Sequence, residues 1–160
     1  MVDPRLAKLA DVLVNYSTAV KPGQGGVFEA GLLAVPLARE VVMAVLKAGG
    51  HPQVVYSDGE ITDRVLKAAS DAQLEWMSPA RLMMVKDADV IISLWAESNT
   101  RTLNNVDPAR IAKAQLSQQE YFTTFMARMS RGDLMWVGTQ YPTQAVAQEA
   151  EMSLGEYEDF

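Results

Sequence analysis

The segment Asp89-Val-Ile-Ile-Ser-Leu-Trp95 constrains this chain more than any other. It is strand-length and almost wholly apolar. A strand with one face in water alternates between polar and apolar residues. An unbroken apolar run has both faces covered, as in parallel sheets sandwiched between helix layers. Three shorter apolar runs accompany it, Val27–Ala30, Gln53–Tyr56 and Leu134–Val137, and helical patterns separate all four. Strands that alternate with helices predict an α/β fold: a parallel, doubly wound, Rossmann-like sheet of about four strands flanked by helices. Right-handed crossovers make a doubly wound layer the default; the strand order is guessed as 2-1-3-4.

The helices announce themselves by their ends. Asp3-Pro4 pairs a capping residue with proline at the first helical position, and Leu6, Leu9, Ala10 and Leu13 follow on one face. Lys21-Pro-Gly-Gln-Gly-Gly26 stops that helix with turn residues. Pro36 sits in the first turn of a second helix with Ala34, Leu37, Ala38, Val41, Val45 and Ala48 inward, closed by Gly49-Gly50. Asp58 can cap a helix to about Ala69, Ser70 and Gln73 form a capping box, and Ser78-Pro79 opens another helix. Asp107-Pro108 is read as the start of the longest helix, running to about Met129 with Phe122, Phe125, Met126 and Met129 as its core face, before Gly132 ends it. Ser153 and Glu156 form a last capping box with only four residues after it, too few for a helix to be stable alone. The expected organisation is therefore an α/β domain over residues 1–150, with 151–160 the start of a linker helix into a further domain.

Composition closes off several classes. The 160 residues suit one domain. There is no cysteine, so neither disulfides nor thiolate metal sites arise, and a reducing compartment is compatible. The net charge of −6 disfavours nucleic acid and anionic membrane surfaces as partners. The start, Met1-Val2-Asp3-Pro4, lacks the basic and apolar regions of a signal peptide, and no apolar run reaches the 18 residues that a membrane span needs. The expected location is the cytoplasm.

The usual signatures of chemistry are missing. Gly23-x-Gly25-Gly26 resembles a phosphate loop but precedes its strand, whereas a dinucleotide loop follows the strand and opens the helix. It reads as a turn. His51 is the single histidine, in a Gly-Gly-His-Pro turn, and reads as a turn residue making a local hydrogen bond rather than a metal ligand. No Gly-x-Ser-x-Gly nucleophile elbow is present, and Ser93 reads as satisfied within the sheet. Trp76, Trp95, Trp136 and the nine methionines read mostly as core or interface filling, with one or two at a partner surface. Ligands of parallel α/β sheets collect at the carboxyl ends of the strands. Glu29, Asp58, Glu97 and Tyr141 fall there, and three carboxylates on one rim can attract a cation or an ammonium group; the plainer reading makes Asp58 a helix cap and the glutamates solvated loop acids.

A resemblance adds to this. Asn104-Asn-Val-Asp-Pro-Ala-Arg110 through Gln115, Tyr141-Pro-Thr143 with Ala147-Gln-Glu-Ala150, and Met152-Ser-Leu-x-Glu156-Tyr-Glu-Asp-Phe160 resemble the amino-terminal half of the thermophilic metalloaminopeptidases of the aminopeptidase T and aminopeptidase S type. Val20-Lys-Pro-Gly23, Pro36-Leu-x-Arg-Glu40, Ala48-Gly-x-His-Pro52 and Ser70-Asp-x-Gln-Leu-Glu75 agree in order and approximate spacing. Gly25-Gly26 departs from the longer apolar first strand common in that family. The resemblance implies a cytoplasmic exopeptidase that releases N-terminal amino acids from peptides at a centre of two divalent ions, of zinc or cobalt type, held by side chains of a second, carboxyl-terminal domain. None of those ligands matches a position here, so no catalytic, cofactor or metal residue carries over. The resemblance further implies a homodimer, with this domain walling the active-site chamber and aiding subunit association. The alternatives from other classes are a free-standing α/β module binding a small molecule or nucleotide, and a pure dimerisation domain.

Overall fold

The computed structural model describes residues 3–159; Met1, Val2 and Phe160, the last residue of the carboxyl-terminal motif, lie outside the described residues. Helix α1 (Pro4–Asp11) is capped by the Asp3 carboxylate, which accepts from the Arg5 amide at 2.9 Å. A π-helical turn, Val12–Ser17, continues it and ends at Thr18, whose buried hydroxyl donates to the Leu13 carbonyl at 2.8 Å. Strand β1 (Gly25–Gly31) leads through a 3₁₀ turn, Leu32–Ala34, into α2 (Val35–Lys47). Then come β2 (His51–Ser57), α3 (Gly59–Ala68), α4 (Asp71–Leu74), α5 (Pro79–Asp87) and β3 (Val90–Trp95). Helices α6 (Pro108–Ser117) and α7 (Gln119–Arg131) precede β4 (Met135–Gln140), and α8 (Gln144–Glu149) and α9 (Leu154–Asp159) complete the described chain.

The four strands form one sheet in the order β2-β1-β3-β4, every pair parallel. The α/β fold and the strand order agree with the sequence reading. Side chains alternate across the pleat. Phe28, Ala30, Val90, Ile92 and Leu94 enter one core with α1 and α2, while Val27 and Ile91 enter a second with Val85 of α5 and Tyr121 of α7. A third, smaller cluster, Leu66, Leu74 and Val106, joins α3, α4 and α6.

Several expectations need correction. The stretch from Asp107 to Met129 is two helices rather than one, broken at Gln118, whose backbone (φ −85°, ψ 2°) leaves the helical region. Neither proline nor glycine marks the break, so the apolar periodicity runs through it. After it, the buried side of α7 carries Tyr121, Phe125 and Met129, while Phe122 and Met126 stand exposed. His51 is the first residue of β2 and not a turn residue; its backbone N–H donates to the Gln24 carbonyl at 2.8 Å as the ladder with β1 begins. Strands β1, β2 and β4 extend beyond their apolar cores because the ladder continues through Gly25-Gly26, His51-Pro52 and Gly138–Gln140. The tryptophans are not core: Trp76 is 64%, Trp95 46% and Trp136 37% exposed, and Met43, Met83, Met126 and Met135 are exposed too. The two faces of the sheet are filled mainly by Val, Ile, Leu, Phe and Ala, with Tyr121, Met77, Met84 and Met129 on the α5/α7 side, and leave no room for the tryptophans.

Candidate functional site

A cleft of about 870 Å³ opens at the carboxyl ends of β1, β2 and β3, between the sheet and the α3–α6 cluster. Its floor includes Glu29, Ser93 and Trp95. Its sides come from the turn after β1 (Leu32, Leu33), the start of α3 (Asp58, Thr62), the start of α5 (Ser78, Arg81) and the loop after β3 (Glu97–Thr100). The sheet places these groups together because all four strands run parallel, so every carboxyl end lies on one side.

Three of the four rim residues line this cleft: Glu29, Asp58 and Glu97. Glu29 shares the α5/α7 side of β1 with Val27, and its carboxylate lies 3.9 Å from the Arg81 guanidinium. Arg81 in turn lies over the Tyr121 ring, 4.8 Å from its centre, a cation–π contact. Burial, and next the negative charge of Glu29, hold the Tyr121 phenol above its usual range. Asp58 caps α3, accepting from the Glu60 amide at 2.7 Å. Glu97 accepts from the Gln140 side-chain amide at 3.1 Å, and its carbonyl accepts from the Thr143 hydroxyl at 2.7 Å. Tyr141 is not among the lining residues. It packs on the α1/α2 core, where burial first, then Glu158 and Asp3, raise its phenol.

Sequence reasoning missed Arg81 and the hydroxyl-rich loop Ser98–Thr102. Arg81 looked like an ordinary helix residue; only the crossover brings it to Glu29. The loop is anchored from the far side of the chain, Thr100 donating to Glu149 at 2.8 Å and Arg101 pairing with it at 3.3 Å. Ser93 accepts from the Trp136 indole at 3.1 Å, so its partner is a side chain across the sheet. The turn at Gly23 lies at the opposite end of β1 from the cleft, its N–H on the Gly49 carbonyl at 2.9 Å.

The donor set does not suit a metal ion. Among the described residues no three His, Asp or Glu side chains converge. The cleft carboxylates are engaged separately, by Arg81, by a helix amide and by Gln140. No helix among the described residues is long and apolar enough to cross a membrane.

The family model described as thermophilic metalloprotease (M29) matches residues 2–160. The chain belongs to the M29 family. Aminopeptidase 2 of Geobacillus stearothermophilus is 27% identical over 152 residues, which are 92% of this chain and 37% of that protein. Wild-type AmpT from Thermus thermophilus superposes with a TM-score of 0.74 at 17% identity, over 89% of this chain and 37% of that one, a likeness of fold. This M29 chain therefore spans about 37% of the length of the relatives it matches.

Proposed function

We propose that this chain is the non-catalytic amino-terminal domain of a metal-dependent aminopeptidase that releases N-terminal amino acids from peptides. The observation that carries this reading is the pairing of a family match over nearly the whole chain with coverage of about 37% of the relatives. The scattered donors of the cleft support it, since a two-ion hydrolytic centre needs several convergent carboxylate or imidazole ligands. On this reading residues 1–150 form the domain and 151–160 lead into a carboxyl-terminal catalytic domain, the principal partner. That domain would hold the two divalent ions, of zinc or cobalt type, polarising the scissile carbonyl and supplying the hydrolytic oxygen. The present chain walls the chamber with its strand-end cleft, admits peptide ends and supports subunit association in the cytoplasm. Glu29, Asp58 and Glu97 would draw the peptide's ammonium toward that chamber, with Tyr141 at its margin.

The test is direct. The 160-residue chain, purified and supplied with zinc or cobalt, should release no amino acid from a dipeptide, while the longer product of the same reading frame should. Turnover by the short chain alone would end the proposal. The cleft also favours a second reading, a free-standing module for a small molecule. A thermal-shift screen separates them, because a ligand at 100 times its dissociation constant adds about 2.7 kcal/mol.

A further inference from the structure

The arginines of this chain are not used alike. Arg110 and Arg128 direct their guanidinium groups at backbone carbonyls, and Arg5 and Arg131 direct theirs at carboxylates. Arg81 differs. Its guanidinium makes no hydrogen bond among the described residues; the Glu29 carboxylate stands 3.9 Å away, too far for one. The group is nonetheless held in place. It lies over the Tyr121 ring, 4.8 Å from its centre, and that ring is itself buried and stacked on Phe125. The N–H donors of a guanidinium are thus fixed at the cleft wall with their bonding capacity unused. Glu29, also on the cleft and partly exposed, faces the same gap.

We infer that this cleft binds a free α-amino acid with a large apolar side chain, its carboxylate on Arg81 and its ammonium on Glu29. The inference deepens the peptide-entry reading of the same cleft, since a free amino acid is what such an enzyme releases. Three observations select this occupant. The first is spacing. A base and an acid 3.9 Å apart call for two opposite charges close together. A free amino acid carries both on one carbon, with nitrogen and oxygen about 3 Å apart, so its two hydrogen bonds run side by side across the gap; in a dipeptide the charges are about 6 Å apart. The second is charge. Among the described residues that line the cleft, Arg81 alone is basic, against Glu29, Asp58 and Glu97. A phosphate, a nucleotide or a plain carboxylate meets net repulsion there, and a zwitterion does not. The third is the apolar wall. Leu32 and Leu33 line the cleft half exposed. Trp95 rises from the same face of the sheet as Glu29, two residues beyond Ser93, the neighbour of Glu29 in the ladder. Its ring is seated on Gly138 of β4, at the open edge of the sheet, where a Cβ would meet it at 2.6 Å. Its half-exposed surface and the two leucines give an apolar side chain something to cover, within a volume of about 870 Å³.

The test is calorimetric titration of the 160-residue chain. It needs no peptidase activity, so this inference and the aminopeptidase reading can fail separately. Leucine should bind saturably at a single site. N-acetyl-leucine, which lacks the ammonium, and leucinamide, which lacks the carboxylate, should each bind about tenfold more weakly, as the loss of one charged hydrogen bond requires. Leucyl-leucine and glycine should also bind more weakly than leucine, the first for its spread charges and the second for its missing side chain. Two variants then assign the partners. In Glu29→Gln the gap between leucine and N-acetyl-leucine should close, and in Arg81→Met the gap between leucine and leucinamide should close. A variant that merely disturbed the fold would weaken all ligands alike and leave its gap open. The ligand series on the unaltered chain stands whether or not the variants fold. The inference is overturned if leucine shows no saturable binding, if N-acetyl-leucine, leucinamide or glycine matches it, if the dipeptide binds more tightly, or if either gap persists in its variant.

Discussion

Arg128 closes a helix to which it does not belong. Its guanidinium donates to the carbonyls of Val85 (3.0 Å) and Ala88 (2.6 Å) at the end of α5, and to that of Asp133 (2.9 Å) beyond its own helix. Arg110 does the same for α3, reaching the carbonyls of Leu66 at 2.6 Å and of Ala69. The last carbonyls of a helix have no partner within it, so each arginine satisfies groups that would otherwise be left bare. Arg128→Ala should lower unfolding free energy by roughly 2–3 kcal/mol in urea titration, and Arg128→Lys should restore only part of it, because one ammonium cannot span three carbonyls. Tyr121 makes a pH prediction. Its folded pKa is raised, by burial first and Glu29 next. The unfolded chain therefore ionises this phenol first, and stability that is complete below pH about 10 falls as pH climbs through that value. Glu29→Gln should bring the phenol's ultraviolet titration midpoint down; an unchanged midpoint would remove Glu29 as a cause. Apart from Asp133, five residues beyond Arg128, none of these partners was legible in the sequence, because each contact joins residues far apart along the chain.

Helix starts, by contrast, were written locally. Asp3, Asp58, Ser70 with Gln73, Ser78, Asp107 and Ser153 with Glu156 all cap the helices that they were expected to cap. A cap satisfies amides two or three residues away, so its logic fits inside a short window. The break at Gln118 did not, since no residue type announces it. The last element shows both effects. Six residues, Leu154–Asp159, are too few for a helix to persist unaided, and the capping box alone does not explain α9. Arg5 adds the rest: it donates to the Glu158 carbonyl at 3.2 Å and the Asp159 carboxylate at 2.8 Å. Arg5→Met should speed amide exchange through 154–159 by an order of magnitude while leaving β1 and β3 protected. Slow exchange across α9 in that variant would show that the box suffices. At the open edge, Gly138→Ala should cost about 1–3 kcal/mol by chemical denaturation, because the added methyl drives Trp95 off the strand.

Across the whole molecule, what the sequence carried best was the layering. One apolar strand and three lesser ones, with helices between, implied a parallel sheet; its order β2-β1-β3-β4 matches a guess that no residue pattern dictated. The cleft was half legible: the strand-end rule nominated Glu29, Asp58 and Glu97, but Arg81 and the Ser98–Thr102 loop arrive through tertiary packing. If the rim serves peptide entry, its action is one of summed charge. Neutralising Glu29, Asp58 and Glu97 together in the longer enzyme should raise KM, more at 10 mM salt than at 150 mM, with kcat nearly unchanged. A KM insensitive to ionic strength would dismiss that role. The bridge from Arg5 to Asp159 also sets Asp3 and Asp159 within reach of one side chain. Two segments this close can be joined in the 160-residue chain. A short Gly-Ser loop sewn between them, with fresh ends opened in the exposed turn at Asn104-Asn105, should yield a circular permutant with the same sheet.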